Sequence, residues 1–177
     1  MTTRAKTPAI GTVSHGTMRP ADLIPAFHDC LEALAPERAR ELEAEYAGFF
    51  APSYSNESWD DACERMPEDA EELVSSLMDA LEEHAPPFCY FGAIEGDGSD
   101  YGFWPSLDSL EGARHEGDVI EDRELAEDPR CKAGYYVDIS DHGNVDLYER
   151  RIVRAAHPNE PARLVTTVEL VSLWGVV

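Results

Sequence analysis

Lysine is almost missing from this chain. Lys6 and Lys132 are the only two, and arginine brings the basic residues to 14 against 36 acidic ones. The formal net charge is −22. Self-repulsion on that scale opposes compaction and favours solubility. Nucleic acid and anionic membranes are themselves polyanions, so direct binding to either is disfavoured. The partners such a charge implies are basic surfaces or cations. A salt-loving source, GC-rich coding or ordinary solvated helix faces would also explain the composition.

Other absences narrow the function classes. No apolar run approaches the roughly 20 residues a membrane helix needs. The basic N-terminal residues Arg4 and Lys6 lack the apolar run of a secretory signal. Cys30, Cys63, Cys89 and Cys131 are widely spaced, and no CxxC occurs, so neither a zinc ribbon nor a redox motif is indicated. A cytoplasmic chain with reduced thiols is the expectation. There is no HExxH, no His-x-His pair and no Gly-x-Ser-x-Gly. Cys89 sits in an aromatic strand, where it reads as a small buried hydrophobe and not as a nucleophile. No internal repeat is present. No cofactor, metal site or catalytic group is expected, and the chain reads as a non-enzyme.

What is present divides into two styles. Residues 1–16 read as an irregular arm in which Ile10 and Val13 could add a short strand. Over 20–86 the apolar residues recur at helical spacing. Asp22 is placed as a cap, with Pro25 in the first turn. Leu23, Phe27, Leu31 and Leu34 give one stripe, and Leu42, Tyr46 and Phe49 a second. Residues 51–67 read as loop or partial helix. Ala70, Leu73, Val74, Leu77, Met78 and Leu81 form the strongest stripe, stopped by Pro86-Pro87.

Over 87–177 the period becomes two. Phe88–Ile94 and Tyr101–Trp104 read as strands joined through Gly96-Asp97-Gly98-Ser99. Residues 106–131 look charged and irregular, with a helical turn at Leu107–Leu110. Gly134–Ile139 and Val145–Tyr148 form a second hairpin, followed by a turn at 157–161 and a strand over Arg163–Trp174. The expected architecture is a single α+β domain spanning 1–177. Its helical N-terminal half packs on an antiparallel sheet of about five strands, built from two hairpins and a C-terminal strand.

Asp138–Glu149 resembles a calcium loop, with Asp first, Gly sixth and Glu twelfth. However, His142 occupies a ligand position and the flanks alternate as strands, so a hairpin turn explains it better. His28 lies beside the apolar stripe of the first helix and reads as structural.

The acids are not evenly spread. From Glu57 to Glu83 there are eleven against Arg65 alone. The candidate partner-binding residues are therefore Asp60, Asp61, Glu64, Glu68, Asp69, Glu71 and Glu72, followed by Glu95, Asp97, Asp100 and the aromatic Trp104 at the first hairpin. Duplex DNA carries one charge per roughly 1.7 Å of axis, so fixed carboxylates could imitate a short stretch of it.

Three pieces, Gly11–Pro25, Tyr90–Pro105 and Asp141–Val145, together resemble a group of small acidic proteins from bacterial phages and other mobile elements. The resemblance implies a mobile-element setting, in which inhibitors of restriction and CRISPR systems are common. It assigns no residue roles. The leading expectation is an anti-defence protein that occupies a basic nucleic-acid-binding surface of a host protein or complex by DNA mimicry. A structural or assembly module, homodimeric through apolar surface around Trp104, is the first alternative. A small metal-binding protein or enzyme is the second.

Overall fold

The structure, a computed structural model, describes residues 8–50, 57–157 and 160–176. The first seven residues of the expected N-terminal arm, residues 51–56 of the 51–67 loop and the middle of the 157–161 turn fall outside them. The class is α+β. The chain divides into two compact units, Met1–Pro105 and Ser106–Val177. In place of one antiparallel sheet there are two sheets, of three and four strands.

Unit 1 begins with β1 (Gly11–His15), a short strand within the expected arm that includes Val13 but not Ile10. Five helices follow: α1 (Pro20–Leu34), α2 (Pro36–Glu45), α3 (Ala47–Phe50), α4 (Trp59–Arg65) and α5 (Pro67–Glu82). β2 (Cys89–Ile94) and β3 (Asp97–Pro105) complete the sheet, in the order β1-β3-β2. Helix α1 starts earlier than expected, so Pro25 lies inside it and Asp22 is not its cap. Pro20 at the first position explains the shift, because its fixed φ suits a helix start and its missing N–H has no partner there. Asp22 instead accepts the Thr17 hydroxyl at 2.6 Å.

Most of the helical stripes predicted from sequence are buried, while Leu34, Tyr46, Val74 and Met78 are only partly so. Leu23, Ile24, Phe27 and Leu31 of α1 meet Leu73, Leu77 and Leu81 of α5 in one core. Phe27 has no exposed surface. Its ring stands edge-on to Phe91 at 5.1 Å and Tyr101 at 5.5 Å, which locks the helices to the sheet. The β2–β3 turn is tighter than expected: Glu95-Gly96 form it alone, and Gly96 takes φ +92. Gly102 lets β1 approach, since a Cβ there would sit 2.1 Å from the Gly11 carbonyl oxygen.

Unit 2 corrects the irregular reading of 106–131. It contains α6 (Leu107–Glu116), the short β4 (Val119–Ile120) and α7 (Arg123–Glu127). Ser106 caps α6 by accepting the Ser109 N–H, and Gly117 ends it at φ +83. β5 (Tyr135–Ile139), β6 (Val145–His157) and β7 (Glu160–Val176) form an antiparallel meander, with β4 parallel to β5 at the other side. The Asp138–Glu149 segment is a hairpin, as its alternation predicts.

Arg150 is the one buried charged residue among the described residues. Its guanidinium donates to the carbonyls of Ala126 at 2.8 Å, Asp128 at 2.9 Å, Cys131 at 3.3 Å and Ala133. The sheet, α7 and the 128–133 loop are fastened by that fan of bonds.

Candidate functional site

The acidic segment is built on two consecutive helices. Ser58 starts α4: its Oγ accepts the Asp61 N–H at 3.1 Å and donates to the Asp61 carboxylate at 2.7 Å. Met66 ends α4, and Pro67 opens α5 at once. Asp60, Asp61, Glu68 and Asp69 therefore sit in first helical turns, where the positive end of the helix dipole favours them. Glu64, Glu71 and Glu72 lie beyond those turns and have no such local reason.

On α5, Ala70, Leu73, Leu77, Ala80 and Leu81 are buried while Glu68, Asp69, Glu71, Glu72, Asp79 and Glu82 are exposed. The apolar stripe forces the carboxylates onto the opposite face. Glu68 and Glu72 are one helical step apart, a like-charge pair that costs about 0.2–0.5 kcal/mol. Sixteen residues span about 24 Å. One strand of B-DNA places about seven phosphates along that length; α5 places six carboxylates there.

Two cations lie nearby, and both are engaged. Arg19 pairs with Asp60. Arg65 pairs with Glu57 at 2.6 Å, holding that carboxyl below its usual range. The other nine acids from Asp61 to Glu83 have no cationic partner among the described residues. Beside them a pocket of about 280 Å³ opens between the end of α2 and the start of α5. Glu45, Asp69 and Glu72 supply carboxylates around it, and Tyr46, Phe49 and Met66 supply apolar wall. That combination suits an extended cationic side chain: charge at the mouth, apolar surface for the stem. Glu45 and Tyr46 are missed by the sequence reading, because their proximity to α5 depends on how α2 folds back.

The hairpin candidates are placed on another element and do different work. Glu95 is exposed at the turn. Asp97 accepts the Ser99 N–H at 2.9 Å and its hydroxyl at 2.7 Å, which hold its carboxyl below the usual range. Asp100 is half-buried opposite His15, and one of its carboxylate oxygens lacks a hydrogen bond among the described residues. Trp104 is half-buried, and its indole N–H donates to the Gly92 carbonyl at 3.0 Å. It staples β2 to β3.

The remaining reactive groups are quiet. Burial, with the charge of Glu82 adding to it, pushes the Cys89 thiol up to about 12. His28 meets Glu43 at 2.9 Å and packs on Phe50. Among the described residues no group of three or more His, Cys, Asp or Glu side chains could hold a metal ion. No described helix is long and apolar enough to cross a membrane. Comparison with protein-family models, with curated proteins and with solved structures finds no match.

Proposed function

We propose that this chain is an acidic interaction protein whose α4–α5 face occupies the nucleic-acid-binding surface of a host defence protein. The observation that supports this reading is the run of carboxylates along α4 and α5, eight of which, from Asp61 to Glu82, have no cationic partner among the described residues. The pocket between Glu45, Asp69 and Glu72 adds a seat for an arginine or lysine of the partner. The resemblance to acidic phage and mobile-element proteins favours a restriction or CRISPR component as that partner. Complementary potentials speed such an encounter and make it salt-sensitive. Dimerisation through Trp104 has less support, because its indole N–H is already engaged.

The test is capture from bacterial lysate on the immobilised chain, at low and high ionic strength and with added duplex DNA. The expected outcome is retention of nucleic-acid-binding proteins that either salt or DNA releases. Retention that is indifferent to both contradicts the reading.

A further inference from the structure

We infer that the outer edge of β7 is a self-pairing surface, through which two copies of the chain join their β6–β7 ribbons into one continuous antiparallel sheet. This is a contact distinct from the acidic face of unit 1.

Three features of β7 carry the inference. It spans seventeen residues, and no described strand lies on its outer side. β5 pairs with β6 only over Val145–Glu149, so from Arg151 onward no other described strand pairs with the β6–β7 ribbon. A two-stranded ribbon is marginal alone in water. Natural edge strands are usually guarded by lysine, proline or several charges. The first residues of β7 carry such guards in Glu160, Pro161 and Arg163, but from Leu164 to Val176 it has no lysine, no proline and one charge, Glu169.

The ribbon is also apolar where it is bare. Ile152 is paired with Val168, and strand alternation puts Leu164 and Leu170 on that same face. Arg150, opposite Leu170, donates to Ala126 of α7, so this face is covered near its base. Farther out Ile152 is 58% exposed and Leu164 68% exposed.

A second copy fits this edge on charge and on size. Elsewhere the net charge repels like chains, whereas an antiparallel pair of full β7 strands brings together four carboxylates, from Glu160 and Glu169 of each copy, and two Arg163 guanidinium groups. Pairing over the full strand centres on Val168 and sets Glu169 opposite Thr167 of the other copy, not opposite its own duplicate. An edge of seventeen residues is about 56 Å long and, at a sheet thickness of about 10 Å, buries roughly 560 Å² per copy. The total of about 1,100 Å² passes the ~1,000 Å² a specific interface needs.

Sedimentation velocity on the full chain at physiological salt tests this. The wild type is expected to be dimeric at tens of micromolar, with dissociation on dilution. Thr167→Lys, which faces Glu169 of the other copy, is expected to keep or tighten the dimer. Thr167→Glu at the same exposed position is expected to loosen it about tenfold. Val168→Lys sets two ammonium groups face to face and is expected to give monomer; protected amides in β5 confirm that unit 2 remains folded. Trp104→Ala is expected to leave the dimer intact. A wild-type monomer, equal behaviour of the two Thr167 variants, or loss of the dimer in Trp104→Ala would overturn the inference.

Discussion

The two units solve the same problem with opposite materials. Unit 1 has 21 acidic and 6 basic residues, a net of −15; unit 2 has 15 and 8, a net of −7. Unit 1 hides only apolar side chains and packs rings against helices, so it needs no buried charge to close. Its carboxylates are free to crowd the outside. Unit 2 buries a cation and spends four carbonyl groups on it. Some acids pair locally in both units, as Glu121 does with Arg114 and Glu41 with Arg38. The difference teaches that the net charge is not a uniform coating. It is concentrated on the unit whose core tolerates it.

The comparison breaks first at the cores. Phe27→Ala is expected to cost about 4 kcal/mol, since the ring is fully buried between α1 and the sheet. Urea unfolding measures it, and a loss under about 1 kcal/mol would show that the rings do not carry unit 1. Arg150→Ala is expected to cost about 3 kcal/mol, with hydrogen exchange rising over 126–133. Arg150→Lys should recover little, because an ammonium cannot span the same fan of carbonyls.

Smaller effects sharpen the electrostatic contrast. Glu72→Gln is expected to stabilise the chain by about 0.3 kcal/mol at low salt, and by less at high salt. A destabilisation would mean that this carboxylate has a partner that the packing does not show. The smallest effect is at Asp128, where hydrogen bonds from Arg130 hold the carboxyl down at about 2. The folded value lies below the unfolded one. Its contribution is therefore complete above about pH 4 and lost as pH falls through about 2. Amide exchange of the 128–131 turn against pH reads this, with Asp128→Asn as the variant that removes the dependence.

Much of unit 1 is legible in the sequence because its signals are periodic. The α5 stripe is complete, so both the buried face and the acidic face follow from spacing alone. The β2–β3 hairpin is equally plain. Unit 2 is less legible. Helix α6 buries only Leu110 among its own residues, so it shows no stripe, although Ser106 and Gly117 mark its ends. Arg150 is invisible because its four acceptors are backbone groups, which leave no trace in side-chain pattern. The split into two sheets could not be read either, since strand pairing over long separations is not encoded locally. Of the candidate residues, seven lie on the consecutive helices α4 and α5. The hairpin acids and Trp104 lie on other elements, where Asp97 and Trp104 make local hydrogen bonds.

The most direct test sets the two units against each other. Glu64, Glu68, Glu71 and Glu72 are changed to Gln in one variant; Glu111, Glu116, Asp118 and Glu124 are changed to Gln or Asn in the other. Affinity for the DNA-releasable partner is then measured against salt concentration. The first variant is predicted to lose about a hundredfold in affinity and to flatten the salt dependence, while the second stays within about threefold of the wild type. Equal losses in the two would contradict the account, since the chain would then be acting through its overall charge and not through one face.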